Sequence, residues 1–208
     1  MILQNINKEL LVYLNSLTQF DFIKSITIIF SDFPIFFLPI FLIFYWIHYT
    51  YKKTPVVVSD IHITKNLLEK ENLLYIVYSV IIGIIISLTI QQFIHIDRPE
   101  TALEAAGNLI LNHLPSASFP SDHATVSVAF LSSLFFAGYK KTGLYFSPFV
   151  ILMLLSRIMG GVHWPFDILA GSIVGYFSSY ITFKYITNIK LINKLNQLII
   201  KTMSYIKL

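Results

Sequence analysis

NLLYIVYSVIIGIIISLTIQQFIHI, residues 72–96, contains no Asp, Glu, Lys or Arg along its whole length. As a helix rising about 1.5 Å per residue, it is long enough to cross the roughly 30 Å of hydrocarbon in a bilayer. Lipid offers backbone N–H and C=O groups no partners, so only helices or closed barrels span it, and this run lacks the alternation of a barrel strand. Similar apolar runs extend from about Ile26 to Ile47, Ser121 to Gly138 and Pro165 to Tyr185, with a shorter one from Leu144 to Gly160. Leaving the shorter run out would put Lys140 and Arg157 on the same side of the membrane. The composition agrees: among 208 residues 55% are hydrophobic, 18 are Phe, 12 are Tyr and only 12% are charged, more apolar than a soluble domain of this size. The expected fold is all-α, a polytopic transmembrane helical bundle of about five spans plus interfacial helices. Residues 1–208 form a single domain, without repeat or linker.

Charge orients the bundle. Five spans collect Lys52, Lys53, Lys65, Lys70, Lys140, Lys141, Lys184, Lys190, Lys194, Lys201 and Lys207 on one face and leave Lys8, Lys24, Arg98 and Arg157 on the other. The positive-inside rule makes the lysine-rich face cytoplasmic and points both arginines toward a periplasm or exterior. The net charge of +4 is mostly this inner-face set and implies no nucleic-acid partner. The stretch Met1 to Phe20 carries Lys8, Glu9 and three asparagines, which suits an amphipathic interfacial helix better than a signal core, with the first span as an uncleaved anchor. The tail from Lys184 holds five lysines and no acid. It suits either an amphipathic helix on anionic lipid or a frayed end. With no cysteine, neither disulfides nor a redox compartment can be read.

Only two of the fifteen basic residues are arginines, Arg98 and Arg157, and both lie where an apolar run meets a polar loop. Arginine's planar fork suits bidentate grip on phosphate, which lysine does poorly. Arg98-Pro99, Pro120-Ser121-Asp122-His123, Ser156-Arg157 and His163 with Asp167 all fall at the outer ends of the spans. Ser121 begins a helix, so its hydroxyl and the first-turn N–H groups offer an anion site aided by the helix dipole. With the arginines it makes a cradle for a phosphoryl-transfer transition state. His163 and Asp167 are four apart, as on one helix face, so the carboxylate can keep one imidazole nitrogen protonated and leave the other to attack phosphorus. His123 arrives from another helix and can protonate the leaving oxygen.

These blocks, spanning positions 91–167, resemble the three-part signature of the type 2 phosphatidic acid phosphatase superfamily. The resemblance implies His163 as nucleophile forming a phosphohistidine, Asp167 as its orienter, His123 as general acid, and Arg98, Arg157 and Ser121 as phosphate ligands, with no metal and no cofactor. The chain departs from the pattern twice: the usual lysine seven residues before the first arginine is Gln91, and a common glycine of the second block is Asp122. Both belong to the candidate phosphate-binding set, although a carboxylate there should repel the anion unless it points away or is paired. The Ser-Asp-His version, with Ser118 to Ala124 reading Ser-Phe-Pro-Ser-Asp-His-Ala, is similar to the bacitracin-resistance type of undecaprenyl-diphosphate phosphatases. This implies a polyprenyl diphosphate substrate at a bacterial plasma membrane, with carrier-lipid recycling as the consequence.

Other lipid phosphates stay open: phosphatidic acid, phosphatidylglycerol phosphate or lipid A, with hydrolysis or transfer to another lipid. An anionic-lipid transporter is the reading of another class, but neither broken helices nor repeated halves are visible. Isolated interfacial histidines such as His48, His62, His95 and His113 read as snorkelling residues. Gln91 and Gln92 read equally as helix–helix hydrogen-bond glue. Asp32, charged within the first span, needs a partner there, and an active-site arginine is the expected one. The apolar stripe Leu109, Ile110, Leu111 and Leu114 either meets the outer leaflet or packs over helix ends. The aromatics of the first span read as lipid-facing bulk, or alternatively as the wall of an isoprenoid groove. Oligomeric state is not legible.

Overall fold

A computed structural model describes residues 2–51, 55–58, 61–100, 103, 110–111 and 117–205. Its helices, in chain order, are α1 Ile2–Ser16, α2 Asp21–Tyr51, α3 Lys65–Phe93, α4 Asp122–Phe136, α5 Lys140–Met159, α6 Pro165–Lys184 and α7 Lys190–Tyr205. The five apolar runs are the cores of α2 to α6. Asn66–Phe93, Lys140–Met159 and Pro165–Asn188 are long and apolar enough to cross a membrane. The arms Asp21–Asp32 and Ile35–Tyr51 of α2, bent by 50°, make a fourth crossing if taken together. The break contains Pro34, which has no N–H to continue the helical ladder.

The expected span Ser121 to Gly138 proves shorter than a crossing helix: α4 has 15 residues, about 22 Å of rise against roughly 30 Å of hydrocarbon. Packing against α3, α5 and α6 explains this, because α4 meets protein rather than lipid on most sides. Ser127, Ser133, Phe130 and Leu134 on it are all buried. A Cβ at Gly171 of α6 would lie 2.4 Å from the Ser121 carbonyl oxygen, and one at Gly175 2.4 Å from that of Thr125. The α4 and α6 backbones therefore touch at these glycines, the close approach that small residues allow in membrane bundles. This contact sets the start of α4 beside the start of α6, where Ser121 N–H donates to the Asp167 carbonyl at 3.1 Å.

Toward the opposite end, Leu38, Phe41, Leu73, Ile76, Phe130 and Leu134 form the largest buried cluster. Phe41, Phe130 and Phe146 meet edge-to-face within it, their centroids 5.4 to 5.6 Å apart. Lipid-facing positions such as Ile81, Ile85, Ile151, Ile173 and Phe177 are exposed. One local feature was not expected from sequence: Pro55–Val58 and Ile61–Thr64 pair as a short antiparallel ladder. Its Val and Ile content suits strands.

Both flanking segments are helical. In α1, Asn15 Nδ2 donates to the Met159 carbonyl at 2.8 Å, and Asn7 Oδ1 accepts from the Phe166 N–H at 3.0 Å. Two of the three N-terminal asparagines thus brace the turn between α5 and α6. In α7, Asn193 and Asn196 accept from the Tyr75 and Tyr78 hydroxyls at 2.6 Å, docking the tail on α3 while Lys190, Lys194 and Lys201 stay exposed. Of the lysine-rich set, positions 52, 53 and 207 lie outside the described residues, as do His113, Leu109 and Leu114. Leu111 N–H donates to the Gly160 carbonyl at 3.4 Å, so this part of the stripe packs on the α5–α6 turn.

Candidate active site

The turn joining α5 to α6 carries the central histidine. After Met159 the chain reverses through Gly161, whose φ of 81° a side chain would strain, and the Val162 and His163 N–H groups both donate to the Arg157 carbonyl. His163 is not on the α6 face that its spacing from Asp167 suggested: it precedes the helix cap, Trp164. Asp167, in the first turn, folds back so that its Oδ2 accepts from the Trp164 N–H at 2.8 Å and from the Ser118 hydroxyl. That carboxylate oxygen lies 3.6 Å from His163 Nδ1, and the nearer acceptor is the Ser118 carbonyl at 3.1 Å. Both partners of Nδ1 are acceptors, so Nδ1 carries the proton. Nε2 faces a donor, Arg98 Nη1, at 3.3 Å, and so presents its lone pair. His163 is 2% exposed, and burial lowers its pKa to about 4, opposed by Asp167 and reinforced by the charges of Arg98 and Arg157. The imidazole is neutral at neutral pH.

Arg98 is aimed from the loop after α3 by the Val162 carbonyl at 2.7 Å and the Ala117 carbonyl at 3.4 Å. Burial lowers its pKa, with Glu100, Asp167 and Asp122 opposing. Trp164 Nε1 donates to the Asp97 carbonyl at 2.8 Å, tying this loop to the turn that carries His163.

Arg157, in the last turn of α5, is 1% exposed. Its Nη1 donates to Asp32 Oδ1 at 2.7 Å and to the Ser31 hydroxyl at 3.1 Å, so Asp32 does pair with a candidate site arginine. Arg157 Nε and Nη2 are buried with no hydrogen-bond partner among the described residues. Buried donors of this kind are costly unless something binds them. The same Asp32 oxygen lies 3.0 Å from His123 Nε2, a contact sequence reasoning did not foresee.

Ser121 caps α4, its hydroxyl accepting from the Ala124 N–H at 3.4 Å, and is fully buried. The two departures from the family pattern meet each other: Gln91 Nε2 donates to Asp122 Oδ1 at 2.9 Å and to the Pro120 carbonyl at 3.2 Å. Ser87 donates to the same Asp122 oxygen at 2.7 Å. Neutral donors from α3 thus hold the carboxylate whose charge seemed out of place beside a phosphate site. Ser118, Ser31 and Ser87 are the participants that spacing did not reveal. Among the described residues no three or more His, Cys, Asp or Glu side chains gather as a metal site would require.

Below this constellation lies an apolar crevice of about 150 Å³, lined by Phe37, Leu38, Ser127, Phe146, Phe149 and Val150. Ser127 is one turn beyond His123 on α4, and Val150 and Phe146 are seven and eleven residues before Arg157 on α5. Those spacings place the lining on the same helix faces as the polar groups.

Known proteins are similar to this chain in sequence and in fold. The Bacillus licheniformis bacitracin transport permease protein BcrC is 26% identical over 183 residues, 86% of this chain and 79% of its own length. The undecaprenyl-diphosphatase BcrC of Bacillus subtilis is 29% identical over 120 residues, 58% of this chain and 61% of that protein. The putative undecaprenyl-diphosphatase YbjG of Escherichia coli is 29% identical over 107 residues, 51% and 53% of the two chains. Among solved structures, Aquifex aeolicus LpxE superposes with a TM-score of 0.61 at 22% identity, covering 86% of this chain and 96% of that one. The Bacillus subtilis PAP2-type phosphatidylglycerolphosphate phosphatase superposes at 0.50 with 17% identity, covering 88% and 96%. The PAP2 superfamily model matches residues 72–190, more than half of the chain and all three blocks, and the chain belongs to that superfamily of membrane lipid phosphatases.

Proposed function

We propose that this protein hydrolyses undecaprenyl diphosphate to undecaprenyl phosphate and phosphate at the outer face of a bacterial plasma membrane. The observation that carries the chemistry is the neutral, buried His163, with Nδ1 held by acceptors and Nε2 presented beside Arg98. Nε2 attacks the terminal phosphorus, the bond to the bridging oxygen breaks, and undecaprenyl phosphate leaves with a proton from His123. Water then attacks the phosphohistidine and frees inorganic phosphate and His163. Arg98 and Arg157 stabilise charge on the phosphoryl oxygens, aided by the helix start that Ser121 caps. Gln91 and Asp122 shape the floor of the site through each other. No metal takes part in this scheme. Carrier-lipid recycling and bacitracin tolerance would follow.

Two points support a polyprenyl diphosphate. Two relatives bear the name undecaprenyl-diphosphatase, one of them as putative. The crevice of about 150 Å³ beneath His123 and Arg157 suits the first isoprenoid unit, since a dry cavity of about that size admits a benzene-sized group.

The test is phosphate release by the purified protein in detergent with excess chelator, across undecaprenyl diphosphate, phosphatidic acid, phosphatidylglycerol phosphate and lipid A. Chelator-resistant turnover with the diphosphate preferred is expected, and strict magnesium dependence would remove the metal-free scheme. His123→Ala should cost less on the diphosphate than on phosphatidic acid, because a phosphate leaves as an anion more readily than an alkoxide.

The pH profile tests the nucleophile. Protonation of His163 removes its lone pair, so kcat/KM should fall as pH drops through about 4, the value burial imposes. An ordinary histidine would place that limb near 6.5. An acid limb at 6.5 on the free enzyme would overturn either the lowered pKa of His163 or its place as the group that limits the reaction.

A further inference from the structure

A single oxygen atom links Arg157 to His123. Asp32 Oδ1 is 2.7 Å from Arg157 Nη1 and 3.0 Å from His123 Nε2. The proposed reaction needs these same two groups on adjacent oxygens of the substrate, Arg157 on a phosphoryl oxygen and His123 on the oxygen that leaves. The Asp32 side chain is 55% exposed, whereas that of Arg157 is 2% exposed. The anion has room to move and the cation does not. Asp32 also ends the first arm of α2, immediately before the 50° bend that leads to Ile35. Arg157 keeps Nε and Nη2 buried and, among the described residues, unpartnered beside the contact, which leaves donors for an anion larger than one carboxylate oxygen.

We propose that Asp32 is a positioning residue whose carboxylate stands in for a substrate oxygen until substrate binds. It holds Arg157 and His123 at the separation a phosphate requires, and the incoming phosphate takes over both contacts as the carboxylate turns aside. This rests on the phosphatase reading above. Two anions do not share one set of donors without repulsion, so the carboxylate competes with phosphate for Arg157 and His123. Its benefit falls on the chemical step, because the clamp and the proton donor are already aligned when substrate arrives.

Competition and alignment separate in the Asp32→Asn variant. The amide keeps the size of the side chain and loses its charge, so inorganic phosphate should bind about tenfold more tightly. KM should fall, and kcat should fall by a similar factor because His123 is no longer held in place. A folding defect weakens anion binding, so tighter binding is a result that a purely structural role would not give. The experiment titrates inorganic phosphate into wild type and variant by thermal shift and as a competitive inhibitor of undecaprenyl diphosphate hydrolysis. Asp32→Ala, which also removes the charge, should show the same tightening and keeps the test open if the Asn variant is not recovered folded. Phosphate binding unchanged or weakened in the recovered variants, with wild type active on the diphosphate, overturns the role of Asp32 alone. A wild type that neither hydrolyses the lipid phosphates nor binds phosphate overturns the phosphatase reading and this role with it.

Discussion

A His163→Ala variant is expected to lose phosphate release by about ten-thousand-fold or more, the scale seen when a covalent nucleophile is removed from a preorganised site. No other group in the described structure can replace it. His123 faces Asp32, and the remaining site groups are cations, hydroxyls and carboxylates committed to one another. The residual activity is that of the clamp alone, with Arg98 and Arg157 holding the phosphoryl group for direct attack by water. The second half of the result is chemical. With substrate labelled on its terminal phosphate, wild type quenched in alkali should carry label on protein that is stable to base and lost in acid, as an N–P bond is, and the variant should carry none. His163→Gln controls for stability, since its amide can still donate toward the Ser118 carbonyl that Nδ1 now serves. Full turnover by either variant would end the phosphohistidine mechanism.

How much of this was legible in the sequence depends on the range of the interaction. Periodicity and hydropathy are local, so the five apolar runs marked α2 to α6, although α3 begins at Lys65 rather than Asn72 and α2 at Asp21 rather than Ile26, and helix direction then put Arg98, Ser121, Arg157 and His163 at one end of the bundle. Asp32 was readable for a different reason: an acid inside an apolar run needs a counter-charge, and so few arginines leave little choice. Its second partner, His123, was not readable, because that contact depends on where the bend in α2 sets the carboxylate. Ser118 escaped for a related reason. It meets His163 through its main-chain carbonyl and Asp167 through its hydroxyl, and only the folded loop reveals a main-chain contact. The short α4 was misjudged because hydropathy cannot distinguish an apolar helix wrapped by other helices from one wrapped by lipid.

Gln91 and Asp122 show how the structure turns two separate anomalies into one. Read singly, one is a lost cation and the other an unwanted anion. Together they are a hydrogen-bonded pair at 2.9 Å, with Ser87 as the second donor. A lysine at position 91 would carry a charge into this contact, and the neutral amide supplies the donor without it. The carboxylate is thereby directed at α3, away from the phosphate position, while its charge still acts on Arg98.

Replacing Arg157 by lysine, which keeps the charge, is expected to lower kcat/KM by about 100- to 1000-fold, comparable to deleting a transition-state donor elsewhere. The reason lies in how the guanidinium is divided. Nη1 serves Asp32 and Ser31, while Nε and Nη2 are buried without partners and point to no other described group. The planar fork therefore holds Asp32 through Nη1 until the carboxylate turns aside, while Nε and Nη2 are already set to grip a phosphoryl group. An ammonium has one nitrogen on a flexible stem. It can follow Asp32 or meet one phosphoryl oxygen, but it cannot grip two oxygens as the fork does, and at 1% exposure water does not make up the missing contacts. Most of the loss should fall in kcat, because the second pair of donors matters most when charge spreads over the equatorial oxygens of the transition state. Thermal unfolding of the lysine variant should stay close to wild type, since the pair with Asp32 survives. Steady-state phosphate release measured beside the melting curve separates these effects: activity within tenfold of wild type would show that a point charge suffices at position 157, and that the fork is there only to hold α5 against α2.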